Sequence, residues 1–112
     1  MIDLDTIRAY CLNFPEAFED HPWGDTVFKV GKKIFVFVHG ADDGLSVTVK
    51  LPPELRDLYD QHPSTYVPAY VGRYGWRGVH IRREQDWERG QEAIAVSSRL
   101  IAPRRLWAKA GD

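Results

Sequence analysis

A single cysteine, Cys11, stands in a chain of 112 residues, so no intramolecular disulfide can form and no multi-cysteine zinc site can be built. No run of about 18 apolar residues occurs, which leaves no candidate for a membrane-spanning helix. Asp3 and Asp5 occupy the N-terminus where a secretory leader needs positive charge, and the chain reads as cytoplasmic. GxSxG, P-loop and GxGxxG patterns are missing, and the Gly72-Arg73-Tyr74-Gly75 segment is too short to cradle phosphates alone, so nucleotide-dependent catalysis and a bound cofactor find no support. Zinc-finger spacing, a heptad zipper and a helix-turn-helix are absent too. Internal repeats, low-complexity stretches and interdomain linkers are also missing, which describes one domain over residues 1–112.

What is present is a strong apolar complement: 44% hydrophobic residues, with four Trp, five Tyr and five Phe. Aromatic rings bury about 150–250 Å² each, enough to hold a small fold without crosslinks. The formal charge of −1 conceals an asymmetry. Residues 1–60 carry six Lys/Arg against eleven acids, whereas residues 61–112 carry nine against five. A polyanion responds to local potential within a Debye length of about 8–10 Å rather than to whole-chain charge, so one basic face is compatible with a sequence pI of 6.4.

Hydrophobic periodicity divides the chain into elements. Leu4, Ile7, Cys11 and Phe14 recur at helical spacing, Asp3 or Asp5 can cap the start, and Pro15 ends the run. The acidic stretch from Glu16 to Gly24, with Pro22 and Gly24, reads as an irregular loop. Thr26–Val30 and Ile34–Val38, rich in β-branched and aromatic residues, flank a turn at Gly31-Lys32-Lys33 and predict a tight hairpin. Leu45–Val49 alternates apolar with hydroxyl residues as a half-buried strand does. Pro52-Pro53 opens a second helix, apolar at Leu55, Leu58 and Tyr59, ending near His62-Pro63. Tyr66–Val71 and Gly75–Ile81 read as two strands joined around Gly72–Gly75. A final helix carries the stripe Trp87, Ala93, Ile94, Val96, Leu100 and Ile101, interrupted by Gly90 and terminated by Pro103. The expected order is α-β-β-β-α-β-β-α, and amphipathic helices sharing one face of an antiparallel sheet give a two-layer α+β sandwich.

Several segments in order carry a resemblance to a known family. Cys11-Leu12-Asn13-Phe14-Pro15, Glu19-Asp20-His21-Pro22-Trp23-Gly24 and Phe28–Phe35 look like the N-terminal half of the MmcQ/YjbR family. Val67–Trp76 resembles its Pro-x-Tyr and Gly-Trp strand region, and Ser98–Leu106 its closing helix. The resemblance implies a two-layer fold similar to CyaY-like and secretion-chaperone-like domains, and a "double wing" role in binding DNA.

Contacts for DNA follow from residue type. Lys29, Lys32 and Lys33 surround the first hairpin, Arg73 and Arg77 the second, and Arg82 and Arg83 follow its exit. Such cations pair with phosphates, while Tyr74 or Trp76 can stack on an unpaired base. Trp76 is equally at home in a core. The alternative is a protein-interaction module, with Trp23, Tyr70, Tyr74, Trp76 and Trp107 as anchors. An enzyme would rest on Glu16, Glu19, Asp20 and His21, a cluster of ionisable groups in the acidic loop. His21, His39, His62 and His80 lack metal-ligand spacing, so no metal is expected. Cys11, on an apolar stripe without a neighbouring cation, reads as a packed, inert thiol. A monomer is the expected state.

Overall fold

The computed structural model describes residues 2–41 and 44–106. Helix α1 (Leu4–Leu12) starts where Asp3 accepts the Thr6 N–H at 2.9 Å and the Thr6 hydroxyl at 2.8 Å, satisfying a donor that the first turn leaves open. Its inner stripe buries Ile7 and Cys11 completely. Strands β1 (Ala17–Asp20), β2 (Thr26–Val30), β3 (Lys33–Ala41) and β4 (Gly44–Lys50) follow, then helix α2 (Pro53–Asp60). The two-residue strand β5 (Thr65–Tyr66), a 3-10 turn at Val71–Tyr74, strand β6 (Trp76–Ile81) and helix α3 (Glu84–Ile101) complete the described chain.

The strands form one six-stranded sheet in the order β1-β2-β3-β4-β6-β5, with every neighbouring pair antiparallel. Because side chains alternate across a strand, each register row faces one side. Phe28, Val36 and Val49 share one row and Val38, Val47 and Val79 another, and all of them join Ile7 and Cys11 of α1 and Ala93 and Ile94 of α3 in a single core. The intervening rows place Phe37, Trp76, Tyr66 and His80 on the opposite face, where rings pack on one another: Phe37 meets Trp76 edge-on at 5.4 Å and Tyr66 meets His80 at 4.6 Å. The architecture is the expected α+β sheet with helices against it.

Gly90 has a packing reason. A Cβ there would sit 2.8 Å from Cδ1 of Ile81, so the glycine lets α3 approach β6 closely. One buried serine ties the layers together. Ser97 Oγ donates to the Phe35 carbonyl at 2.7 Å and accepts the Lys50 N–H at 3.0 Å, joining α3 to β3 and β4. The serine stands where the β3–β4 pairing ends at Val36 and Val49, and on the other side of β3 the β2–β3 register slips, leaving Phe35 without an opposite residue.

Two expectations require correction. The stretch read as an irregular loop contains β1, so the order of helices and strands is α-β-β-β-β-α-β-β-α. Ala17-Phe18-Glu19-Asp20 lacks β-branched residues, and its pairing is supported from outside: Arg8 of α1 binds Glu19 at 2.6 Å and Lys29 of β2 binds Asp20 at 3.2 Å. The strand expected over Tyr66–Val71 shrinks to Thr65–Tyr66. Pro68 has no N–H to offer a ladder, and Tyr70 takes φ 66°, outside any strand conformation.

Candidate nucleic-acid interface

The register decides which basic residues share a place. In an antiparallel sheet the β2–β3 turn projects from one end, and Lys50, opposite Trp76, closes the β4–β6 ladder at that same end. Lys32 in the turn, Lys33 at the start of β3, Lys50 at the end of β4, and the Val71–Gly75 segment leading into Trp76 therefore gather at one end of the sheet. Lys32, Lys33 and Arg73 are exposed there and Lys50 is half-buried. Arg82 and Arg83 follow Ile81, which faces Leu45, and belong to the opposite end. The expected set of basic contacts is thus divided, with the two hairpin regions together and the exit pair apart.

This gathering is also free of opposing charge along the strands that build it. No Asp or Glu occurs between Asp25 and Asp42, from Gly44 to Pro53, or anywhere between Asp60 and Glu84. The nearest carboxylates in sequence are Glu54 and Asp57 of α2. At the far end lie Asp20 and Asp25 together with Arg82 and Arg83, while Glu16, next to Ala17 opposite Val30, lies at the turn end and pairs with Arg105 at 3.3 Å.

Individual side chains differ sharply in what they can reach. Lys29 binds Asp20 at 3.2 Å and lies over the Phe18 ring at 5.9 Å, which commits it to the β1 edge. The Arg73 guanidinium stacks on Tyr74 at 4.9 Å from the ring centroid, and Tyr74 is 57% exposed. Trp76 is half-buried against Phe37. Arg77, grouped with the phosphate contacts on sequence grounds, is 9% exposed and fully engaged. Its Nε and Nη2 bind Asp60 at 2.6 and 3.3 Å, and its Nη1 donates to the Gly72 and Trp76 carbonyls at 2.7 and 2.9 Å. Arg77 falls in a helix-facing row of β6, so its charge is spent on anchoring the 67–75 connection to α2.

That connection is tightly determined. The Val71 N–H bonds the Ala69 carbonyl at 2.7 Å, closing a γ-turn on Tyr70, and Gly72 N–H bonds Pro68 at 3.0 Å. A Cβ on Gly72 would overlap Val67, and one on Gly75 would overlap the Arg56 guanidinium, whose Nε in turn donates to the Leu51 carbonyl at 2.9 Å. Tyr70 is left 91% exposed. Lys50 is the residue that sequence reasoning passed over, because only the strand register places it beside Trp76.

Arg83 and Asp86 belong to the start of α3. The Asp86 carboxylate accepts the N–H groups of Arg82 and Arg83, both at 3.0 Å, and lies 3.8 Å from the Arg83 guanidinium and 3.7 Å from that of Arg89. Burial alone would raise this carboxyl, but those donors outweigh it and hold it below its ordinary value.

The acidic cluster is an ion-pair lattice. Glu19 receives Arg8 at 2.6 and 3.2 Å and touches His21 Nε2 at 2.7 Å, and the Arg8 bond holds its carboxyl below the usual range. Asp20 is lowered by the His21 backbone N–H, then by Lys29. Glu16 pairs with Arg105 at 3.3 Å. A cleft of about 490 Å³ lies elsewhere, between α2 and α3, lined by Tyr59, His62, Glu88, Arg89 and Glu92 among others. Burial pushes the Cys11 thiol up to about 12, which leaves no thiolate for nucleophilic chemistry. Among the described residues no group of three His, Cys, Asp or Glu is placed to hold a metal ion, and no helix is long and apolar enough to cross a membrane. Trp107, a candidate anchor, lies outside the described residues.

Comparison with known proteins adds a family match and a fold match. A family model described as YjbR matches residues 12–100. A crystal structure of a Deinococcus radiodurans protein with a DUF419 domain is 23% identical, with a TM-score of 0.81 over 99% of this chain and 89% of that one. A crystal structure of a Pseudomonas syringae protein is 17% identical, with a TM-score of 0.70 over 90% of this chain and 100% of that one. At such identities the likeness shows a shared fold. No curated protein matches the chain significantly.

Proposed function

The chain belongs to the YjbR family, and from that premise we propose that it is a DNA-binding protein contacting phosphates, without strong sequence preference, through the basic end of its sheet. The observation that carries this reading is the register: it sets Lys32, Lys33, Lys50 and Arg73 at one end of a sheet whose contributing strands hold no carboxylate there. Cations on short, well-held turns suit backbone contacts, which position a protein on DNA but carry no base information. A handful of such contacts gives a dissociation constant of about 10⁻⁴–10⁻⁶ M at physiological salt. The sequence pI of 6.4 does not oppose this, because a polyanion responds to the local potential within a Debye length rather than to whole-chain charge.

Fluorescence anisotropy of labelled DNA across a salt series tests the reading. Wild-type affinity should fall steeply with salt, and Lys32→Ala/Lys33→Ala/Arg73→Ala should lower the log–log slope by about 2–3 on duplex. No binding at low salt and high micromolar protein sinks it. A second reading, a protein-docking module, is favoured by one feature at the far end: Trp23, in the β1–β2 connection, is 92% exposed at φ 55°.

A further inference from the structure

We infer that the loop carrying Tyr70 and Tyr74 is a stacking platform for unpaired bases, so that the nucleic acid this protein prefers is single-stranded. The inference rests on the reading above and names the substrate class for that same end of the sheet.

Tyr70 occupies φ 66°, ψ −59°, a conformation that glycine takes freely and a tyrosine does not. The residue is 91% exposed, so packing gives little back for the strain. The loop around it is nevertheless held on several sides: by the Val71 and Gly72 N–H bonds, by Val67 against Gly72, and by Arg77 gripping the Gly72 carbonyl. A strained residue kept in place by an over-determined surround points to a use outside the fold. Four residues on, Tyr74 is 57% exposed with Arg73 against its ring. Val67 and Val71 are exposed on the same stretch, 56% and 37%.

Two surfaces of this chemistry fit one kind of partner. Flat rings presented in water stack on base faces, which a duplex hides and a single strand offers, and every base has such a face. Lys32, Lys33, Lys50 and Arg73 supply the phosphate track, and no carboxylate occurs in the sequence between Asp60 and Glu84, Asp60 itself being paired with Arg77. An acidic or mixed protein surface would use the cations but has no comparable series of flat faces for two projecting tyrosines.

The test compares labelled oligothymidylate with a duplex of equal length in anisotropy titrations of the whole protein. Oligothymidylate should bind at least several-fold more tightly. Tyr74→Ala should weaken it about tenfold with an unchanged salt slope, since a stacking residue contributes no counterion release. Tyr70→Gly is the sharper variant, because glycine accepts the backbone conformation: it should keep or raise Tm while weakening oligothymidylate binding about tenfold, and Tyr70→Phe should restore it. If duplex binds as well as single strand, or if both tyrosine variants bind oligothymidylate normally while the lysine and arginine substitutions still lower the salt slope, the platform is refuted and DNA binding stands. If neither nucleic acid binds at low salt, both readings fall together.

Discussion

Arg77 separates a structural cation from a ligand contact, because the two roles predict opposite outcomes for one substitution. In Arg77→Ala, Asp60 loses both its guanidinium bonds, and the Gly72 and Trp76 carbonyls lose donors at 2.7 and 2.9 Å. Breaking a fully buried ion pair costs about 3–5 kcal/mol, but the Asp60 side chain is 32% exposed and water can resolvate it. An unsatisfied carbonyl adds about 1–3 kcal/mol where water is excluded. With the ion-pair cost reduced by that exposure, a total of about 2–3 kcal/mol is expected. Unfolding entropy near 2.1 cal/mol/K per residue gives a Tm loss of about 10 °C for a chain of this length. Calorimetry or thermal circular dichroism reads the stability, and anisotropy reads DNA binding. The slope of log affinity against log salt should stay at its wild-type value, since Arg77 touches no phosphate, while affinity for a single strand declines as the 67–75 loop loosens. Asp60→Asn should destabilise in the same direction by a smaller amount. A Tm unchanged within about 2 °C together with a duplex slope reduced by about 0.9 would show instead that Arg77 reaches out to phosphate, and the account of the loop anchor would be wrong.

Other parts of the fold make equally direct predictions. Ser97→Ala strands the Phe35 carbonyl and the Lys50 N–H inside the protein, so urea unfolding should show a loss of about 1–3 kcal/mol, and a wild-type midpoint would disprove the bridging role. Gly78→Ala drives a methyl into the Tyr66 ring; the variant should unfold at markedly lower temperature, and adding Tyr66→Ala should recover part of the loss. On the acid side, Glu19 and Asp86 have lowered carboxyl pKa values, so the stability they contribute is present above their ordinary values of 4.5 and 3.8 and is lost as pH falls below them. Asp86→Asn should flatten that acid limb. On the alkaline side, the buried Cys11 thiol moves from 9.0 up to about 12, so stability is full below about pH 9 and declines between 9 and 12 as the unfolded thiol ionises. Ellman's reagent at pH 8 should leave the native thiol untouched and titrate it in denaturant; rapid native reaction would contradict its burial.

On the proposed reading, Lys32, Lys33, Lys50 and Arg73 act on an approaching polyanion through the local potential within a Debye length. Raising salt should therefore slow association as well as weaken binding, which stopped-flow measurements on the same labelled strands can resolve.

The sequence alone determined a good part of this protein. Helix-period stripes located α1 and α3, β-branched runs located β2, β3 and β4, and the ordered resemblance in both halves pointed to the family that a model match over residues 12–100 shows. These features were legible because they are local: periodicity and capping act within a few residues. Three things were decided only by tertiary structure. Strand β1 is supported by Arg8 of α1 and Lys29 of β2, which neutralise Glu19 and Asp20 from neighbouring elements and let a poor strand former pair. Arg77 became an anchor rather than a contact because the register turned its side chain toward α2. The candidate binding surface arose because antiparallel pairing carried the turn at Lys32, the end of β4 and the loop before Trp76 to one end of the sheet and sent Arg82 and Arg83 to the other. Charge and aromaticity are written residue by residue, but whether they share a surface depends on strand order and register, which are set by long-range pairing and core packing.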